Sequence, residues 1–132
     1  MKIKLSIAFI ITFFAFTNLH AQKQFKALIV TNTNWWHHES IHYGVVALEE
    51  LAVRNFFDAE VFQDPKSFND TFLKKFQVII FLNTTGDILN ADQQNVMERF
   101  IQSGKGFVGI HSASDTEYDW DWYTKLVGRM FY

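Results

Sequence analysis

Gly106-Phe107-Val108-Gly109-Ile110-His111-Ser112-Ala113-Ser114-Asp115-Thr116-Glu117-Tyr118 begins as an uncharged apolar run and stops at a histidine, after which hydroxyls and acids crowd together. An apolar run of this length suits a strand buried on both faces. In an open α/β sheet such a strand delivers polar groups to the crevice outside its carboxyl end. Two other stretches repeat the pattern. Lys26-Ala27-Leu28-Ile29-Val30-Thr31 leads into Asn32-Thr33-Asn34-Trp35-Trp36-His37-His38-Glu39, and Gln77-Val78-Ile79-Ile80-Phe81-Leu82 leads into Asn83-Thr84-Thr85-Gly86-Asp87. A parallel sheet puts all these polar loops on one side, so 32–39, 83–87 and 111–117 are expected to face a common crevice.

The intervening segments read as helices. Ser40 is expected to cap one that reaches Phe56, because Ile41, Val45, Leu48, Ala52 and Phe56 recur three or four residues apart. Ala59–Phe62 reads as a short strand, more exposed because it contains Glu60, and Asp64-Pro65 as a turn. Ser67–Lys75 is a weaker helix with Phe68, Phe72 and Phe76 at helical spacing. Asn90 followed by Gln93 is a capping box, Val96, Met97, Phe100 and Ile101 form the buried stripe behind it, and Gly104 sits where a left-handed cap is expected. A last helix runs from Trp120 to Val127. Strands alternating with helices predict a doubly wound α/β domain, a parallel sheet with helices on both faces.

Composition narrows the functional classes. Lys2 and Lys4, the apolar run Leu5–Phe16 and the small Ala21 form the pattern of a secretory signal, with cleavage expected after Ala21. The run is shorter than the roughly 20 residues that span a bilayer, so no membrane anchor is expected after cleavage, and the location is periplasmic or secreted. Residues 22–132 then form one domain, in which ten basic residues face 14 acidic ones. A mildly acidic chain without a basic run argues against nucleic acid as a partner. The absence of cysteine excludes a disulfide framework, a thiol nucleophile and a lipidated cysteine. Eleven Phe, four Trp and four Tyr remain after residue 21 to build the core.

His111, at the end of a strand, suits a general base, a metal ligand or an orienting donor, or alternatively a structural histidine bonded to a carbonyl. Gly109-Ile110-His111-Ser112-Ala113 occupies the position of a nucleophile elbow, the sharp strand-to-helix turn that lifts a side chain over the sheet. Histidine stands where serine or cysteine would, and Ser112 comes one residue late, so acyl-enzyme chemistry is disfavoured. His37, His38 and His42 lie near Glu39 but match no metalloenzyme spacing. No metal ligands are therefore assigned, with a divalent ion such as zinc left open as a cofactor, and His37 and His42 read as hydrogen-bonding side chains. Trp35, Trp36, Tyr118, Trp120, Trp122 and Tyr123 either stack on a sugar ring or belong to the core.

His38-Glu39-Ser40-Ile41, Val78–Asp87 and Gly106–Trp120 together resemble the ThuA-like (trehalose utilisation) domain, a branch of the class I glutamine amidotransferase-like superfamily. The resemblance implies a flavodoxin-like sheet and an exported, carbohydrate-active domain that hydrolyses or isomerises a glycoside or 3-keto-glycoside, with a non-catalytic sugar-binding module as the alternative. The amidotransferase cysteine corresponds to His111, so glutaminase activity is not carried over. On this reading His38, His111 and Asp115 are catalytic, with Glu117 as a supporting group. Trp36, Thr84, Thr85, Asp87, Ser112 and Tyr118 bind a small carbohydrate, and Asp87, Asp115 and Glu117 are the candidate carboxylates for glycoside hydrolysis. Two departures are expected to matter. Asp121 replaces a usual proline and is expected to loosen the start of the last helix. The family domain also continues for roughly another hundred residues, in keeping with ordinary domain lengths, so the chain is expected to be a C-terminally truncated portion that carries part of the site or lacks activity.

Overall fold

The computed structural model describes residues 22–62 and 67–130. The expected signal segment and the expected Asp64-Pro65 turn lie outside these residues. Four strands, β1 (Lys26–Val30), β2 (Asp58–Val61), β3 (Val78–Leu82) and β4 (Gly106–Ile110), form one sheet in the order β2-β1-β3-β4. Every pairing is parallel. This is the strand order of flavodoxin-like doubly wound folds.

Strand alternation builds a core on each face. Ala27 and Ile29 of β1 point with Ile80 and Leu82 of β3 toward α1 (Ile41–Arg54), which contributes Ala52. Leu28, Val30, Ile79 and Phe81 point the other way, into a larger core. Leu73 of α2 (Asp70–Leu73), Val96, Met97 and Phe100 of α3 (Ala91–Gln102), and Tyr123 of α4 (Asp121–Val127) complete it. Burying each large side chain of this kind stabilises the fold by about 1.5–3 kcal/mol.

Local signals explain most boundaries. Asn90 accepts the Gln93 N–H while the Gln93 side chain accepts the Asn90 N–H, the reciprocal box expected there. Gly104 has φ +89° and donates to Ile101 O, closing α3. The fourth helix starts at Asp121, where an acid in the first turn favours the positive end of the helix dipole.

Several expectations are corrected. Ser40 precedes α1 but makes no side-chain cap, because its Oγ accepts a hydrogen bond from Asn83 Nδ2 at 2.9 Å. Phe56 does not join the buried stripe. It turns outward in the left-handed region (φ +54°) so that Phe57 can enter the core and stack on Phe25. The helix expected over Ser67–Lys75 shrinks to a single turn at Asp70–Leu73, capped by Asn69. Strand β4 is not covered on both faces. It ends the described sheet, and Val108 is 44% exposed.

Candidate functional site

The loops that follow β1, β3 and β4 stack side by side in the same order as their strands. Parallel bridges extend the sheet past the strand ends, pairing Thr33 with Thr85 and Gly86 with Thr116. The loop after β3 is therefore the middle layer. Its Thr85 carbonyl accepts the Asn34 N–H, and its Gly86 N–H donates to Asp115 O, both at 2.9 Å.

Three residues at these strand ends leave the ordinary backbone regions: Asn83, His111 and Glu117 have φ of +52°, +51° and +54°. Left-handed conformations of this kind cost non-glycine residues energy and cluster at functional turns. His111 is thus lifted over the sheet edge by an elbow, and a 3₁₀ turn (His111–Asp115) follows directly. The elbow requires small residues. A Cβ at Gly109 would lie 3.0 Å from the Ala113 Cβ, so a side chain there would push the turn away from the strand by a few tenths of an ångström.

His111 meets His38 across the loops. Their ring centroids are 4.8 Å apart at an interplanar angle of 72°, an edge-to-face contact. The pair borders a cleft of about 260 Å³ also lined by Trp36, Ser112, Ser114 and Asp115. Trp36 is 68% exposed and offers a free aromatic face. The Ser112 hydroxyl is buried at the cleft wall and has no hydrogen-bond partner among the described residues. The Asp115 carboxylate accepts the Tyr118 hydroxyl, which orients it. Ser114 donates to the His111 carbonyl at 3.3 Å.

The sequence thus places Trp36, His38, His111, Ser112 and Asp115 together. The others take different roles. Thr84 is fully buried and bonds the Thr116 hydroxyl at 2.8 Å, and Thr85, also fully buried, donates to Trp36 O at 2.8 Å. Both hold loops together and line no part of the cleft. Asp87 is exposed beyond the middle loop, where its carbonyl accepts the Asn34 amide. Tyr118 acts on Asp115, and Trp120 stacks on Trp122 and packs on the core. Ser114 was legible only as one of several hydroxyls beside His111.

Glu117 departs furthest from its expected place. It is 1% exposed, and its carboxylate accepts the backbone N–H groups of Ile88 and Leu89 and the Gln94 side-chain amide, each at 2.7 Å. Burial pushes its pKa up, the amide donors oppose that shift, and the nearby Asp87 charge adds to it. The Tyr123 hydroxyl donates to Ala113 O at 2.7 Å, and burial pushes its pKa up as well.

Two imidazoles and one oriented carboxylate suit proton transfer to and from a bound molecule. Activation of a serine nucleophile requires a base within hydrogen-bonding reach, and among the described residues Ser112 Oγ has none. Among the described residues no group of three or more His, Asp or Glu side chains converges as a metal site would need. The histidine pair alone would supply two of the four ligands of a tetrahedral zinc.

The family model for trehalose utilisation (ThuA) matches residues 26–132. No match was found among curated proteins. A solved structure of a ThuA-like protein from Bacteroides uniformis superposes with a TM-score of 0.67 at 27% identity. The match covers 88% of this chain and 49% of that one, so the chain spans about half the length of the solved relative. Cleft, elbow and sheet order lie within the matched residues and fit the class I glutamine amidotransferase-like superfamily, with an imidazole at the elbow. The chain belongs to the trehalose utilisation (ThuA) family.

Proposed function

We propose that the cleft binds a single sugar unit and that His38 and His111 act as an acid–base pair on a glycoside or 3-keto-glycoside. The observation that carries this reading is the contact of the two imidazoles at the mouth of a small cleft. Trp36 supplies a flat apolar face for a ring, while Ser112, Ser114 and Asp115 offer polar groups to its hydroxyls. About 260 Å³ suits one ring better than a chain of them.

The carboxylate arrangement favours the oxidised sugar. Direct glycoside hydrolysis uses two carboxylates flanking the bond, about 5–10 Å apart. Among the described residues, Asp115 is the one carboxylate that lines the cleft. A ketone at C3 removes the need for a pair, because it acidifies the C2 hydrogen and places the C1 leaving group β to the carbonyl. One imidazole takes the C2 proton, and the C1–oxygen bond breaks as the C1–C2 double bond forms. The other imidazole protonates the departing alcohol. Water then adds back at C1 to complete hydrolysis.

The leader-like residues 1–21 support work in the periplasm or outside the cell. Incubation with a 3-keto-glucoside tests the chemistry. Single His38→Ala and His111→Ala variants are expected to lose about 10²–10⁴-fold in turnover, whereas turnover equal to wild type removes the histidine pair from the mechanism. Calorimetric binding of an intact glucoside with no turnover of either sugar supports the binding-module reading instead.

A further inference from the structure

Glu117 holds the segment after β3 from two sides. Its carboxylate grips the N–H groups of Ile88 and Leu89 and the amide of Gln94, and its own N–H donates to Gly86 O at 3.2 Å. This carboxylate is buried, already holds three donors and does not line the cleft. It does have a mechanical connection to the cleft. We propose that Glu117 is a positioning residue that sets the His38–His111 contact through the loop after β3.

The connection runs through bonds already described. Gly86 lies between Asp115 O, which accepts its N–H, and the Glu117 N–H, which its carbonyl receives. Thr85 precedes it, accepting the Asn34 N–H on its carbonyl and giving its hydroxyl to the Trp36 carbonyl. Trp36 is two residues from His38, and Asp115 closes the turn that begins at His111. The middle loop is a spacer between the two histidines, and its seat on the sheet edge decides how they meet. Glu117 fixes that seat because it ties the loop to α3 and to the chain leaving the β4 turn at once. A carboxylate does this where an apolar residue cannot, since two adjacent backbone N–H groups and one amide would otherwise be buried without acceptors.

This inference rests on the reading of the two histidines as the working pair, but it concerns their geometry in the ligand-free protein. The test is the nuclear Overhauser cross-peak between the His38 and His111 rings in the full chain, measured together with melting temperature. Wild type is expected to show it. Glu117→Ala and Glu117→Asp are expected to lose it, the second because the shorter arm cannot reach. Glu117→Gln is expected to keep it, since an amide oxygen serves Ile88 and Leu89 while Gln94 turns its own oxygen toward the new amide. Phe57→Ala, a cavity in the core on the other face of the sheet, is expected to lower melting while keeping the cross-peak.

The proposal is overturned if Glu117→Ala retains the cross-peak, if Glu117→Gln loses it as fully as Glu117→Ala, or if Phe57→Ala loses it too. Should Glu117→Ala not fold, Gln94→Ala removes one of the three bonds and decides the matter: a weakened cross-peak supports the proposal, and an unchanged one overturns it. Keto-sugar turnover is read separately. Inactivity of wild type would remove the proposed chemistry and leave the cross-peak result standing.

Discussion

The loops after β1 and β3 are built from the same vocabulary, Asn32-Thr33-Asn34 and Asn83-Thr84-Thr85, and the fold uses them in opposite ways. The first carries Trp35 and Trp36 outward and brings His38 to the cleft. The second is buried between its neighbours, and its hydroxyls are consumed by Thr116 and Trp36. The difference follows from strand order. The loop after β3 has a loop on each side, so every polar group it carries must find a partner within the protein. The flanking loops each pair with the middle loop on one side, and their Trp36, His38, His111 and Asp115 line the cleft. The hydroxyls of the middle loop are spent within the protein, while polar groups of the loops beside it reach the cleft.

Variants in the two classes should separate function from stability. The largest effect belongs to the flanking loops: His38→Ala or His111→Ala should lower keto-sugar turnover by about 10²–10⁴-fold with melting unchanged, as steady-state rates and thermal unfolding will show. Thr85→Val should do the reverse first. It removes the donor to the half-buried Trp36 carbonyl and costs about 0.5–1.5 kcal/mol, measurable by denaturant unfolding. A variant of Thr85 with full stability and no turnover would break the comparison, because it would make the middle loop a ligand contact.

Gly109→Ala lies between the classes. The added methyl must displace the Ala113 Cβ, so a cost of about 1–3 kcal/mol is expected, accompanied by loss of turnover as the elbow opens. Trp36→Ala should leave stability within about 0.5 kcal/mol and weaken sugar binding by roughly tenfold, about 1.4 kcal/mol, by calorimetry.

The smallest effect is one of sign. Glu60 at the β2 edge is held below its ordinary pKa by its hydrogen bond to Lys26, with Lys75 adding to the effect against the opposing cost of burial. Its contribution is present above the unfolded value of 4.5 and is lost as pH falls through the lowered folded value. Glu117 is shifted the other way by burial, so the folded state holds its proton more tightly than the unfolded chain. Wild type should therefore lose stability relative to Glu117→Gln as pH rises from 4.5 through the raised value, and gain it relative to Glu60→Gln over the acid range. Unfolding midpoints of the three proteins across pH read both slopes.

Much of the architecture was legible because its signals are local. Apolar runs marked the strands, Asn90 with Gln93 marked the start of a helix, and Gly104 its end. The fate of Ser40 was not legible, because a serine before a helix caps it only if nothing across the sheet competes, and Asn83 does. Nor was Phe56, whose place depends on Phe57 finding Phe25.

The sequence alone determined that this chain is a doubly wound α/β domain presenting His38, His111 and Asp115 at one sheet edge, since strand pattern and parallel topology suffice for that. Only the tertiary structure separated Asp115 from Glu117. These two acids lie two residues apart and are indistinguishable as text. The 3₁₀ turn ends at Asp115, Thr116 is extended, and Glu117 turns left-handed, so one carboxylate faces the cleft and the other is buried beneath the middle loop. That division is set by which backbone donors wait on either side of the chain, and those donors come from residues far away in sequence.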